Sequence, residues 1–195
     1  LDRILLTSQR LESMSENLRS IIILPDPVGE VFDMSTRPNG LMMGKKRVPL
    51  GVIGAIYENR PNVTVDISAL CIKSGNACIL RGGREAIHSN RVLVAIIRKA
   101  IGDAGITEDV IQFVDDPDHK LVVSMLRMNQ YIDLIIPRGG AEFIRFVIET
   151  ATMPVVAGGV GVCHTYVDKS ADLDKAVSIA NNAKVRRPSV CNALD

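Results

Sequence analysis

The residue with the most chemistry to offer is Cys191, in the segment Arg186-Arg187-Pro188-Ser189-Val190-Cys191-Asn192. A thiol with a pKa of about 8.5 is only slightly ionised at neutral pH; a helix start or a neighbouring cation shifts it toward the nucleophilic thiolate. Two arginines precede Cys191, and Pro188 marks the entry to a new segment. By residue type alone a cysteine is more often a buried small hydrophobe, so both readings stand. Cys71 falls on an apolar helix stripe and Cys78 in a strand, which suits burial, while Cys163 fits either state. His88, His119 and His164 lack the mutual spacing of a metal site or a catalytic triad, and no metal site is expected.

Three further segments combine small or cationic residues in a way that suits a phosphorylated ligand: Glu58-Asn59-Arg60-Pro61-Asn62, Arg81-Gly82-Gly83-Arg84 and Pro137-Arg138-Gly139-Gly140. Glycine lets a backbone approach a ligand closely, and arginine adds a permanent charge with forked donors. A Gly-Gly pair is also ordinary strand-to-helix turn geometry, and the Gly-x-Gly-x-x-Gly dinucleotide fingerprint is absent.

The elements that must position these residues follow from the apolar periodicity. From Pro49 onward apolar runs, turns and amphipathic stretches alternate, as in βαβ units around a parallel sheet. Strands are predicted at Val52 to Tyr57, Ala77 to Leu80, Val110 to Val114, Tyr131 to Ile136, Val155 to Val156 and His164 to Val167. Each of the three segments then begins at the carboxyl end of a strand, where helix N-termini offer N–H groups to anions.

Helices are predicted after Pro61 up to Gly75, over Leu93, Ile96, Ile97, Ala100 and Ile101 with Gly102 as terminator, and after a Ser170 cap with Leu173, Ala176, Val177 and Ala180 on the buried face. Residues 4 to 19 predict a helix with Leu5, Leu11, Met14 and Leu18 on one side, and Met14, Met125 and Met128 read as helix faces. The runs Val28 to Met34 and Leu41 to Val48, around Arg37-Pro38-Asn39-Gly40, predict a β-hairpin outside the repeat. The resulting division is 1–24 helix, 25–48 hairpin, 49–185 α/β domain and 186–195 the start of a further domain.

Composition excludes several function classes. The 195 residues are 47% hydrophobic and 23% charged, as in an ordinary folded chain. A net charge of +1 and 4% aromatic residues provide neither the basic field nor the stacking surface of a nucleic-acid binder. The longest nearly unbroken apolar stretch, Val48 to Tyr57, is well short of the roughly 20 residues that span a bilayer. No secretory signal is visible, and four cysteines without Cys-x-x-Cys spacing suit a reducing, cytoplasmic setting. Starting at Leu1 and stopping soon after Pro188, the chain is expected to be a piece of a longer polypeptide.

Five blocks, VPLGVIGAIYENRPNVTVD at 48–66, SGNACILRGGREAIHSN at 74–90, YIDLIIPRGG at 131–140, GGVGVCHTYVD at 158–168 and RRPSVCNAL at 186–194, closely resemble the γ-glutamyl phosphate reductase (glutamate-5-semialdehyde dehydrogenase) family. That family lies in the aldehyde dehydrogenase superfamily. The resemblance implies an α/β fold with a Rossmann-type parallel sheet, flanking helices and an oligomerisation hairpin, with the catalytic domain largely missing here. It implies NADPH-dependent reduction of L-glutamyl 5-phosphate to L-glutamate 5-semialdehyde and phosphate in proline biosynthesis. Carried over by position, Cys191 is the nucleophile and Asn192 an oxyanion donor. Arg81, Gly82 and Gly83 lie at the NADP ribose and its 2′-phosphate, and Pro137, Arg138, Gly139 and Gly140 near the pyrophosphate. Arg60 and Asn62 are weaker candidates for substrate binding.

Oxidative members of the superfamily carry a water-activating Glu where this chain reads Val155-Val156-Ala157-Gly158-Gly159. Asn59 aligns with a superfamily oxyanion donor at a position the reductases vary. The implied partners are the small-molecule substrate, further copies of the same chain in a homo-oligomer, and a glutamate kinase as a candidate. Two other functions compete: an acylating aldehyde dehydrogenase with another donor such as a coenzyme A thioester, and a noncatalytic nucleotide-binding or assembly module.

Overall fold

In the computed structural model, residues 4–159, 161–186 and 193–194 are described, in two compact units, Leu1–Ala157 and Gly158–Asp195. The first unit is built on a parallel sheet of β3 (Val52–Tyr57), β4 (Ala77–Gly82), β5 (Ile111–Phe113) and β6 (Leu134–Arg138), in the order β5-β4-β3-β6. The helices α2 (Pro61–Lys73) and α3 (Ile87–Asp103) connect the first three strands; α4 (His119–Met125) leads into β6 and α5 (Ala141–Thr150) leaves it.

Side-chain alternation along the strands divides the core into two layers. Ile53, Ala55 and Tyr57 of β3, with Cys78 and Leu80 of β4 and Ile111 of β5, join Cys71 of α2 and Val94 and Ile101 of α3. Ile56 and Ile135 point the other way and pack with Val122 and Met125 of α4 and Val147 of α5. Strands buried on both faces require near-continuous apolar runs, which is what β3 and β4 carry.

Several elements shift from their sequence-based positions. The first helix, α1, spans Ser8–Ile23 and not 4–19, because the Thr7 hydroxyl accepts from Arg10 N–H at 3.3 Å and caps it there. Met14 is buried as expected, but Leu5 and Leu11 are exposed. Helix α3 runs through Gly102 and ends at Asp103, and Gly105, just past the Ala104 cap, has a φ of +80° that suits glycine. β6 starts at Leu134, since the N–H groups of Tyr131 and Ile132 both turn back to Met128 O at 2.9 Å. Met128 consequently lies in this turn, exposed, and on no helix face.

Pro137 is accommodated within β6. Its missing N–H belongs to the row in which Ile135 N–H reaches Pro154 O, and the pairing on that side stops at Val156. The predicted strand at Val155 to Val156 is a single parallel bridge from Val155 to Ile135.

The hairpin forms as β1 (Val31–Thr36) and β2 (Met42–Lys46), antiparallel, with a register shift between Phe32 and Ser35 where Asp33 has φ +51°. Val31, Met34, Met42 and Met43 are exposed on it.

In the second unit the helix α6 (Leu173–Val185) is capped by Asp172, which accepts from Lys175 N–H at 3.1 Å, and not by Ser170. Ser170 is held by Asp168 instead, its hydroxyl donating at 2.6 Å. Leu173 and Val177, expected on a buried face, are exposed. His164 to Val167 forms no strand; the pairing in this region is one bridge, from Cys163 to Leu194.

Candidate functional site

β3, β4 and β5 follow one another outward, and the chain then returns across the sheet to place β6 on the far side of β3. The connection leaving β3 enters the α2/α3 layer, and the one leaving β6 enters the α4/α5 layer. The two connections therefore diverge and open a crevice at the carboxyl edge, the position where open α/β sheets take ligands.

Register sets the three candidate segments side by side at that edge. Tyr57, the last residue of β3, pairs with Gly82 on one side and Arg138 on the other. Glu58 N–H then donates to Arg138 O at 3.0 Å, tying the first segment to the third. A Cβ on Gly83 would lie 3.1 Å from Asn59 Oδ1, and one on Gly139 would lie 2.7 Å from Phe143 and 3.0 Å from the Glu58 carboxyl carbon. These glycines are thus needed for the close approach of neighbouring turns. Gly140 faces open space at the N-cap of α5, without a side-chain cap, so the first N–H groups of that helix are available to an anion.

The cationic residues differ sharply in environment. Arg81 is only 6% exposed; its Nη2 donates to Pro117 O at 2.9 Å, and its Nε has no hydrogen-bond partner among the described residues. Burial lowers the pKa of this guanidinium from its ordinary value, against the opposing pull of Glu85. Arg138 is exposed at the mouth of the crevice. Arg60 is half-buried in front of Pro61, the first residue of α2. Asn62 donates to Asp66 Oδ2 at 3.1 Å, and burial holds the Asp66 carboxyl above its ordinary pKa while that bond opposes it. Asn59 adopts φ +33°, and its Oδ1 is buried with no donor among the described residues.

Sequence reading missed the support beneath these turns. Arg91 of α3 grips Asp115 through two bonds, of 2.7 and 2.8 Å, and so anchors the 114–118 loop that carries Pro117. Under the β3 and β4 ends, Tyr57, Thr64 and Asn90 form a buried polar chain. Its one visible signal was Asn90, a polar residue placed three and four positions before Leu93 and Val94 on the apolar stripe. Cys71 and Cys78 are buried, and their shared hydrogen bond, with burial, pushes the Cys78 thiol up. Cys163 is half-buried. Cys191 and Asn192 lie outside the described residues, and no group of metal-ligating side chains occurs among the described ones.

Comparison with known proteins accords with this architecture. The aldehyde dehydrogenase family model matches residues 13–192. The chain belongs to the aldehyde dehydrogenase family. Among members of that family, the gamma-glutamyl phosphate reductase of Dehalococcoides mccartyi is 57% identical over all 195 residues, which make up 46% of that relative. The crystal structure of gamma-glutamyl phosphate reductase from Thermotoga maritima matches the whole chain with a TM-score of 0.91 and 47% identity, over 47% of its own length. The corresponding enzyme structure from Saccharomyces cerevisiae matches 94% of the chain with a TM-score of 0.70 and 32% identity, again over 47% of its length. The chain thus spans about half the length of the aldehyde dehydrogenase relatives it matches. No helix among the described residues is long and apolar enough to cross a membrane.

Proposed function

We propose that the protein takes part in reducing L-glutamyl 5-phosphate to L-glutamate 5-semialdehyde and phosphate, with NADPH as reductant, in proline biosynthesis. The observation that carries this reading is the 57% identity, along the entire chain, to a relative named gamma-glutamyl phosphate reductase. A homo-oligomer joined through the exposed apolar hairpin, a cytoplasmic setting and a glutamate kinase as partner go with the same reading.

The crevice suits a pyridine dinucleotide. Gly140 is exposed and faces open space at the α5 N-terminus, which has no side-chain cap, and a buried guanidinium underlies one wall. The residues that would hold the nucleotide are Gly82 and Gly83 at the adenosine ribose, with Arg81 raising the local potential, and Arg138, Gly139 and Gly140 at the pyrophosphate. When bound, NADPH supplies the hydride that brings the acyl group to the aldehyde level.

The remaining chemistry falls to the chain's own residues. In this proposal the Cys191 thiolate forms a bond to the acyl carbon, the bond to phosphate breaks, and phosphate leaves with that electron pair, generating a thioester. Asn192 and adjacent N–H groups stabilise the oxyanion formed on the way. Arg60 and Asn62 orient the substrate. The stretch Val155-Val156-Ala157-Gly158-Gly159 contains no carboxylate, so it brings no general base to activate water, and the thioester persists long enough to be reduced.

Phosphate-dependent reduction of NADP+ by glutamate semialdehyde, measured on the complete gene product, tests the proposal. Activity should disappear in Cys191→Ala. Near-normal turnover in that variant, or equal activity with coenzyme A in place of phosphate, would contradict it.

A further inference from the structure

The polar chain beneath the crevice joins four elements at one level. Tyr57 is the last residue of β3, Thr64 lies on α2, Asn90 on the first turns of α3, and Gly82 is the last residue of β4. Tyr57 OH and Thr64 Oγ1 are 2.7 Å apart, and Thr64 Oγ1 donates to Asn90 Oδ1 at 3.0 Å. Since the single Thr64 proton is committed to Asn90, the phenol donates to Thr64. Burial pushes the Tyr57 phenol up, which keeps that proton in place. Exposure is 1% for Tyr57 and 0% for both Thr64 and Asn90.

The far end of the chain is unusual. Asn90 Nδ2 is buried with no acceptor among the described residues, and it rests against the bare Cα of Gly82, where a Cβ would collide with it. A buried amide donor without a partner is costly, and a side chain serving only to fill the core would be apolar. The amide instead abuts the residue at which β4 gives way to the Gly83 turn, and its carbonyl is held by a hydroxyl from the neighbouring helix. The starts of α2 and α3 and the end of β4 are thereby fixed against one another, directly under the crevice.

We propose that Asn90 is a positioning residue for the nucleotide site, setting the height of the Gly82-Gly83 turn through contact with Gly82. The inference rests on the nucleotide reading above and adds a residue that touches neither substrate nor nucleotide. It predicts a defect in nucleotide affinity with chemistry spared.

In the complete gene product, Asn90→Ala should raise KM for NADPH about tenfold while kcat stays within about twofold, because the turn is misplaced and the reacting groups are not. Gly82→Ala should raise it at least as much, because the new methyl collides with the amide. Combining the two should give back part of the Gly82→Ala loss, since Asn90→Ala makes room. Tyr57→Phe, which removes one hydroxyl and keeps the ring, should raise KM by about threefold. A melting temperature that falls in Asn90→Ala with KM unchanged would reduce Asn90 to a structural role and overturn the proposal; so would fully additive Gly82→Ala and Asn90→Ala effects. Should Asn90→Ala not fold, an unchanged KM in Tyr57→Phe overturns it equally. Failure of the unsubstituted protein to use NADPH would instead defeat the nucleotide reading, and this inference with it.

Discussion

The tripeptide Arg-Gly-Gly occurs twice at the edge of the sheet, at Arg81-Gly82-Gly83 and at Arg138-Gly139-Gly140, and its two copies do different things. Their common neighbour β3 shows why. Arg81 pairs with Ile56, whereas Arg138 pairs with Tyr57, one residue further along. A shift of one residue reverses the face to which a side chain points. Arg81 lies on the Ile56 row, 6% exposed, with a bond to Pro117 O, while Arg138 stands exposed in the last paired row, beside Tyr57. One motif therefore yields an internal strut and a surface cation. A ligand would meet the charge of the second directly and that of the first only through the backbone it supports.

The comparison breaks most readily at Arg81. Replacing it with Ala strips the part-buried Pro117 carbonyl of its charged donor and empties a buried site, and a stability loss of about 2–3 kcal/mol is expected in urea denaturation. A variant as stable as the parent would show that the strut bears nothing. Next in size, Arg138→Ala should weaken NADPH binding by about tenfold in a fluorescence titration, with stability changed by less than about 0.5 kcal/mol. Equal losses of stability in the two arginine variants would erase the distinction.

Gly139→Ala sharpens the contrast within the second copy. Its new methyl would lie 2.7 Å from Phe143 and 3.0 Å from Glu58, and overpacking should lower stability by about 1 kcal/mol.

The smallest effect belongs to the Arg91–Asp115 clamp that anchors the loop under Arg81. The Arg91 bonds hold the Asp115 carboxyl below its ordinary pKa. Its contribution is therefore present above the unfolded-state pKa and lost as pH falls through the lower, folded-state value. Arg91→Ala should lower the melting temperature slightly at neutral pH, and the gap should close in acid and at high salt. A gap that persists in both would mean that the clamp acts by packing.

Much of this arrangement was legible in the chain. The β3 range and the Pro61 start of α2 follow from the apolar run and the proline, whereas β4 runs two residues past the predicted Leu80 and β6 two past Ile136, so Arg81, Gly82, Pro137 and Arg138 belong to strand ends and not to the turns after them. Elements whose apolar run does not mark their ends were misplaced. Tyr131 and Ile132 extend the β6 run but belong to a turn, because backbone bonds to Met128 compete successfully there. The α6 stripe is amphipathic in sequence, yet Leu173 and Val177 remain exposed, since periodicity states which face could be buried and not what covers it.

Local sequence settled which residue types stand at the crevice and that glycine and arginine recur there, because turn chemistry and strand length act over a few residues. Only the assembled sheet decided which arginine is buried, which glycine is crowded and that Asn90 lies under Gly82. Those outcomes depend on register between strands and on contacts between residues far apart in sequence, and no local pattern encodes either.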